Sequence, residues 1–144
     1  MKSVHQLLDA KGGSILSVPS SATIYEALVI MAGKHVGALL VMDGERLTGI
    51  FSERDYARST VLKSGLSKDT PISEVMTPAS QLITITPHHT VEECLNLVTD
   101  KRIRHLPVLE NGRVIGVLSI GDLVKETIEN QRFLIDQLEN YIHS

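Results

Sequence analysis

The stretch Gly49-Ile50-Phe51-Ser52-Glu53-Arg54-Asp55 returns 67 positions later as Gly116-Val117-Leu118-Ser119-Ile120-Gly121-Asp122. Each copy reads as a glycine, two apolar residues, a serine, two variable residues and an aspartate. The apolar pair predicts the end of a buried strand, and the serine predicts the cap of a helix whose first turn carries the aspartate. One Ser-x-x-Asp is a weak signal. Two at matching positions mark a duplicated unit.

The repeat extends outward on both sides. Thr23, Leu28, Leu39, Val41 and Arg46 match Thr90, Leu95, Leu106, Val108 and Arg113 at the same offset. Upstream, Val4, Leu7, Leu8, Ile15 and Pro19 match Ile72, Val75, Met76, Ile83 and Pro87 at an offset of 68. The change of one comes from Ser20-Ser21-Ala22-Thr23 standing against His88-His89-Thr90. The period is long, which indicates a duplication and not a solenoid.

Each copy predicts the order strand, helix, strand, strand, helix. Short apolar pieces, Ile15 to Val18 and Leu82 to Ile85, run toward a proline. Thr23 and Thr90 stand where helix N-caps belong, and each is followed by Glu in the first turns. Ile24, Ala27, Leu28 and Met31 form one helical face; Val91, Cys94, Leu95 and Val98 form the other. Val36 to Met42 and Leu47 to Phe51 flank Asp43-Gly44-Glu45, and Ile103 to Leu109 and Val114 to Leu118 flank Glu110-Asn111-Gly112. Asp-Gly and Asn-Gly are hairpin signals. The strands are near-continuous apolar runs, as in a sheet covered by helices.

A repeat of about 60 residues is marginal on its own. The expected fold is therefore α+β, with two tandem repeats packed sheet to sheet in pseudo-two-fold symmetry and an extended C-terminal helix. Residues 1–64 form the first repeat with an N-terminal lead-in helix. Residues 65–126 form the second with its connector and lead-in, and 127–144 the helical extension, all in one integrated module. Lys63 to Thr70, polar and containing Gly65, is the connector.

Composition narrows the function. The 144 residues are 42% hydrophobic, enough for a core, and the net charge of −3 provides no basic field for nucleic acid or anionic membranes. Aromatics at 3% with no Trp leave few stacking platforms for single strands. No apolar run nears the roughly 18 residues of a membrane span. The first residues lack a signal-peptide core. Cys94, the single cysteine, reads as a small core residue and fits a reducing compartment. The expected location is cytoplasmic. No Gly-rich phosphate loop, nucleophile elbow or nucleophile–base pair is visible, so the chain reads as a non-enzyme. His88-His89 lacks partners at ligand spacing, so no metal site is expected. Met31, Met42 and Met76 read as core filler.

Over nearly its whole length, from about Val4 to Lys125, the sequence resembles the cystathionine-β-synthase (CBS) domain family. The resemblance rests on Ile72-Ser73-Glu74-Val75-Met76-Thr77 as a lead-in helix, Arg104-His105-Leu106-Pro107-Val108 as a second strand, and the two Gly-to-Asp motifs. Ser52 to Arg58 is similar to small stand-alone bacterial CBS-pair proteins. The resemblance implies a Bateman-type module that senses adenine ligands: AMP first, also ADP, ATP, NAD or S-adenosylmethionine.

At a strand-to-helix junction, free N–H groups and the helix dipole favour an anion or polar ligand, and an ionised Asp offers two acceptors for a ribose diol. Ser52 and Ser119 are equally readable as plain N-caps. In the family each site combines the Asp of one repeat with the lead-in and second strand of the other. Carried over, the first site joins Ser52 and Asp55 to Leu82, Ile83, Ile103, Arg104, His105 and Pro107. Arg104 and His105 stand where the family places phosphate ligands, although His105 also reads as a structural histidine. The second joins Ser119 and Asp122 to Ser14, Ile15, Val36, Gly37, Ala38 and Arg54. Gly37-Ala38 replaces Arg104-His105 there, with Arg54 compensating in part. The Asp55 site is therefore expected to prefer AMP, and the Asp122 site to admit a larger ligand such as NAD.

Between Asp122 and His143 no Pro or further Gly interrupts the helix. Ile128, Leu134, Ile135, Leu138, Tyr141 and Ile142 form an apolar stripe that needs cover, from a second copy or from the N-terminal helix around Val4, Leu7 and Leu8. The expected assembly is a homodimer that signals through ligand-dependent geometry or through an unidentified effector protein. The alternative is a structural or protein-interaction scaffold with degenerate pockets.

Overall fold

A computed structural model of the chain describes residues 1–12 and 15–143. The elements are α1 (Val4–Lys11), β1 (Ser17–Val18), α2 (Ile24–Lys34), β2 (Ala38–Asp43), β3 (Arg46–Ser52), α3 (Glu53–Leu62), β4 (Thr77–Pro78), α4 (Val91–Asp100), β5 (His105–Glu110), β6 (Arg113–Ser119) and α5 (Ile120–His143). The fold is α+β, with two repeats of strand and helix and a long final helix. The chain forms two compact units, Met1–Gly13 with Thr84–Ser144, and Ser14–Ile83. These boundaries differ from the repeat boundary at 64/65 in the sequence, because each lead-in packs on the other repeat's strands.

In the Ser14–Ile83 unit the sheet order is β1-β2-β3-β4, with β1 parallel to β2 and the other pairs antiparallel. Its core holds Val18, Ala22, Ile24, Ala27, Met31, Leu39, Val41, Phe51, Ile72 and Val75. The helical face expected on α2 is thus the buried one, with Leu28 at its margin. The Thr23 hydroxyl caps α2 by accepting from the Glu26 N–H at 3.1 Å. The hairpin loop is Gly44-Glu45, with Asp43 still paired to Arg46. Gly44 has φ +65°, as a II′-type turn needs at its first central residue. Asp43 is held outside the loop because its carboxylate accepts from the Ser20 N–H and hydroxyl at 2.9 and 2.7 Å. The same two bonds lower its pKa.

The other unit repeats the plan. β5 and β6 pair antiparallel around Asn111-Gly112, both at positive φ as a type I′ turn requires. Both hairpins carry a register shift at the same repeat position, between Val41 and Met42 and between Val108 and Leu109. Thr90 and Glu93 form a reciprocal capping box on α4. Val91, Cys94 and Val98 of α4 are buried, and burial, with the Glu93 charge beside it, pushes the Cys94 thiol up to about 11.

Two expected elements differ. Ile72 to Thr77 is not a helix but one 3₁₀ turn, Ile72–Glu74, followed by β4. Pro71 and Pro78 bracket the segment, and Pro78 forces Thr77 into extended backbone, so too few residues remain to nucleate an α-helix. Leu82 to Ile85 is not a strand; Ile85 alone bridges to Val108, through Ile85 N–H to the Pro107 carbonyl and Leu109 N–H to the Ile85 carbonyl. The next bond of that parallel ladder needs a donor at Pro107, which has none. In the first repeat Leu40 holds the matching position and donates to the Leu16 carbonyl at 3.2 Å, so β1 forms.

Candidate functional site

Each Ser-x-x-Asp motif folds as a reciprocal cap. The Ser52 hydroxyl accepts from the Asp55 N–H at 3.1 Å, and Asp55 Oδ2 accepts from both the Ser52 N–H and hydroxyl at 2.9 Å. Ser119 Oγ accepts from the Asp122 N–H at 3.1 Å, and Asp122 Oδ2 accepts from the Ser119 N–H at 2.8 Å. Both aspartates are half-buried. The capping role is therefore present in both repeats, and it fixes each carboxylate on the first turn of its helix, beside N–H groups without helical partners.

The glycine that opens the motif lies beneath a crossing segment. A Cβ on Gly49 would lie 2.5 Å from the Thr77 carbonyl oxygen and 2.8 Å from Met76 Sδ. A Cβ on Gly116 would lie 2.7 Å from Leu8 Cδ2. Leu8 and Met76 are the matching lead-in positions of the sequence repeat. The segment before the first repeat thus lies on β6, and the segment before the second lies on β3.

These crossings deliver a third group to each aspartate, and it differs. The Thr77 hydroxyl donates to Asp55 Oδ1 at 3.0 Å. Lys11 Nζ donates to Asp122 Oδ2 at 2.8 Å and to the Val117 carbonyl at 2.9 Å. Burial raises the Asp122 pKa, but the hydrogen bonds and charge of Lys11 with the Ser119 bonds outweigh it, and the carboxyl ends below its ordinary value.

The other expected residues fall as follows. Within the Ser14–Ile83 unit, Ser52 pairs with Ala38, and the Gly37 carbonyl accepts from the Glu53 N–H at 3.0 Å. Val36, Leu82 and Ile83 are half-buried, while Ile15 and Arg54 are exposed. Within the other unit, His105 pairs with Ser119, and the Arg104 carbonyl accepts from the Ile120 N–H at 2.9 Å. Arg104 is exposed, Ile103 half-buried and Pro107 buried. Ser14 lies outside the described residues. In each repeat, then, the Ser–Asp pair sits directly beside the start of its own second strand. His89 turns its Nδ1 to the Thr86 N–H at 3.0 Å, which gives that histidine a local structural role.

Thr77 and Lys11 were not among the site residues expected from sequence. Thr77 belongs to the lead-in hexapeptide, but nothing in its spacing points to Asp55. Lys11 stands 111 residues from Asp122, and the repeat aligns Asp9, not Lys11, with Thr77. The one local signal is a lysine in the last turn of α1.

A family model described as "CBS domain" matches residues 13–61 and 72–129. The CBS domain-containing protein CBSX3, mitochondrial, of Arabidopsis thaliana is 36% identical over 146 residues, covering 96% of this chain and 71% of that protein. The chain spans about a fifth of some longer relatives, such as CBSCBSPB1 of Arabidopsis thaliana, 39% identical over 114 residues and 21% covered. Among solved structures, a protein with CBS domains from Burkholderia ambifaria MC40-6 is 44% identical with a TM-score of 0.83, covering 90% of this chain and 96% of that one. The CBS domain protein PAE2072 of Pyrobaculum aerophilum, complexed with AMP, is 28% identical with a TM-score of 0.72, covering 84% and 89%.

Proposed function

The chain belongs to the CBS-domain family, and we propose that it is a regulatory module that binds adenine nucleotides through its two Ser–Asp pairs and catalyses no reaction. The observation that carries this is the duplicated cap: Ser52 with Asp55 and Ser119 with Asp122 hold two half-buried carboxylates at strand-to-helix junctions. A carboxylate there accepts hydroxyl donors, and the positive end of the helix dipole beside it favours an anion. The AMP complex of the Pyrobaculum relative supports the ligand class.

The ligand groups follow the family arrangement. One site draws on Ser52, Asp55, Leu82, Ile83, Ile103, Arg104, His105 and Pro107. The other draws on Ser119, Asp122, Ile15, Val36, Gly37, Ala38 and Arg54. Arg104 is the phosphate ligand of the first, where a guanidinium fork suits phosphate oxygens.

The module works as a homodimer. Ile128, Leu134, Ile135, Leu138, Tyr141 and Ile142 of α5 are 44% to 81% exposed in the single chain. Helix α1 does not cover them, since they stay this exposed with α1 in place. A ligand alters the dimer, or an effector protein bound to it, through unequal affinity for two states.

The test is calorimetric titration with AMP, ADP, ATP, NAD, NADH and S-adenosylmethionine, using the wild type and the Asp55→Asn and Asp122→Asn variants. Asn keeps the shape but removes the charge of the acceptor. Binding that weakens at least tenfold, one site per variant, is expected. No heat with any ligand leaves the scaffold reading, in which α5 and not a pocket carries the function.

A further inference from the structure

The two aspartates differ in one respect that the repeat hides. Among the described residues the hydrogen-bond partners of Asp55 are neutral: Ser52 on Oδ2 and the Thr77 hydroxyl on Oδ1. Asp122 is paired with a cation. Lys11 and the Ser119 N–H share Oδ2, so among the described residues Oδ1 has no hydrogen-bond donor. The ammonium has three donors; Asp122 and the Val117 carbonyl use two. The Lys11 and Asp122 side chains are 40% and 25% exposed, so a solute can reach both.

We propose that Lys11 is a specificity-determining residue of the Asp122 site, where it selects ligands bearing a phosphate over the uncharged nucleoside. The inference rests on the nucleotide-binding reading above. A bare carboxylate repels a phosphate held within one nucleotide's length, whereas the Lys11–Asp122 pair has no net charge. Asp122 Oδ1 accepts one ribose hydroxyl, and the third ammonium N–H is available to a hydroxyl or phosphate oxygen of the same ligand. Among the described residues no cation is hydrogen-bonded to Asp55, where Thr77 donates a hydroxyl that serves donor and acceptor alike and adds no charge.

The experiment titrates AMP and adenosine by calorimetry into the wild type, Asp55→Asn, and Asp55→Asn combined with Lys11→Met or Lys11→Arg. Asp55→Asn leaves the Asp122 site as the principal reporter. Lys11→Met is expected to weaken AMP about tenfold, equivalent to ~1.4 kcal/mol, and to change adenosine by less than about twofold, with Lys11→Arg retaining most of the AMP affinity. The AMP affinity of the Lys11 protein should fall with added salt more steeply than that of the Met variant. Equal loss of AMP and adenosine would overturn the proposal, because Lys11 would then only brace Asp122. So would unchanged binding of both, or AMP binding by the wild type that Asp55→Asn abolishes. If the wild type binds neither compound, the nucleotide reading itself falls, and this inference with it.

Discussion

Replacing Gly49 by alanine should cost far more stability than replacing Gly116, although the two occupy the same place in the repeat. At Gly49 the added Cβ meets the Thr77 carbonyl oxygen at 2.5 Å and Met76 Sδ at 2.8 Å. The first is backbone, paired in the ladder through Gly49 with Pro78 and Ile50 with Thr77. It can yield only if β4 moves away from β3 by about 0.5–1 Å, an overpacking strain worth ~2–3 kcal/mol. At Gly116 the near atom is Leu8 Cδ2 at 2.7 Å, and the next are 3.5 and 3.6 Å away. A half-buried leucine tip can rotate, and alanine also recovers about 0.4–1 kcal/mol by restricting the unfolded chain. Neither glycine has positive φ, so backbone strain adds nothing to either. With roughly 2–4 °C per kcal/mol for a chain of this size, Gly49→Ala should lower the melting temperature by about 4–12 °C, and Gly116→Ala by no more than about 3 °C. Thermal denaturation followed by circular dichroism measures both. Trimming the side chain in contact should rescue only one: Leu8→Ala with Gly116→Ala relieves the clash, whereas Met76→Ala with Gly49→Ala leaves the carbonyl in place. Equal losses, or a full rescue by Met76→Ala, would refute the account of why the motif opens with glycine.

Three further outcomes follow from the same structure. The thiol of Cys94, buried and pushed up to about 11, should stay unreactive toward a disulfide reagent at pH 8 in the folded protein and react at once in denaturant. Asp122 has a lowered folded pKa, so its contribution to stability is complete above the unfolded carboxyl value of about 3.9 and is lost as pH falls through the lower folded value. Lys11→Met removes much of that lowering and should move the acid-unfolding midpoint to higher pH, as read by circular dichroism. Leu138→Asp, at a position 62% exposed in the single chain, should leave the melting of the monomer within about 0.5 kcal/mol yet dissociate the proposed dimer in sedimentation; a dimer that survives places the contact elsewhere.

The sequence made the repeat, the hairpins and the helix caps legible because each is local. Asn111-Gly112 announces its turn through the backbone angles it alone permits easily, and Thr23 and Thr90 announce helices through a hydroxyl three residues from its donor. The failures have equally local causes. Pro107 removes a single donor and with it a strand that its apolar neighbours promised, and two prolines shorten a helix to one turn. Longer-range relations left no such trace. Nothing in the spacing of α1 shows that it lies on β6, and the glycines of the two motifs are legible as motif members without the carbonyl or leucine tip that crosses them. Asp43 reads as a turn residue, but its carboxylate accepts from Ser20, 23 residues away.

The way the lead-ins cross the strands accounts for how two copies of one plan can come to differ. Each repeat keeps its serine and aspartate tied together by the cap, and in the first repeat the crossing backbone also excludes a side chain at the glycine. The group that reaches the aspartate from outside comes from a different stretch of chain and is under neither constraint. It can be a threonine on a strand or a lysine at the end of a helix, provided its tip arrives within hydrogen-bond distance, as Thr77 does at 3.0 Å and Lys11 at 2.8 Å. Substitution there changes the charge presented to a ligand while the hairpin, the cap and the core remain as they were. A duplicated scaffold can therefore hold two unlike sites with no change in its repeating part, and the differences between them are to be sought in the segments that precede each repeat.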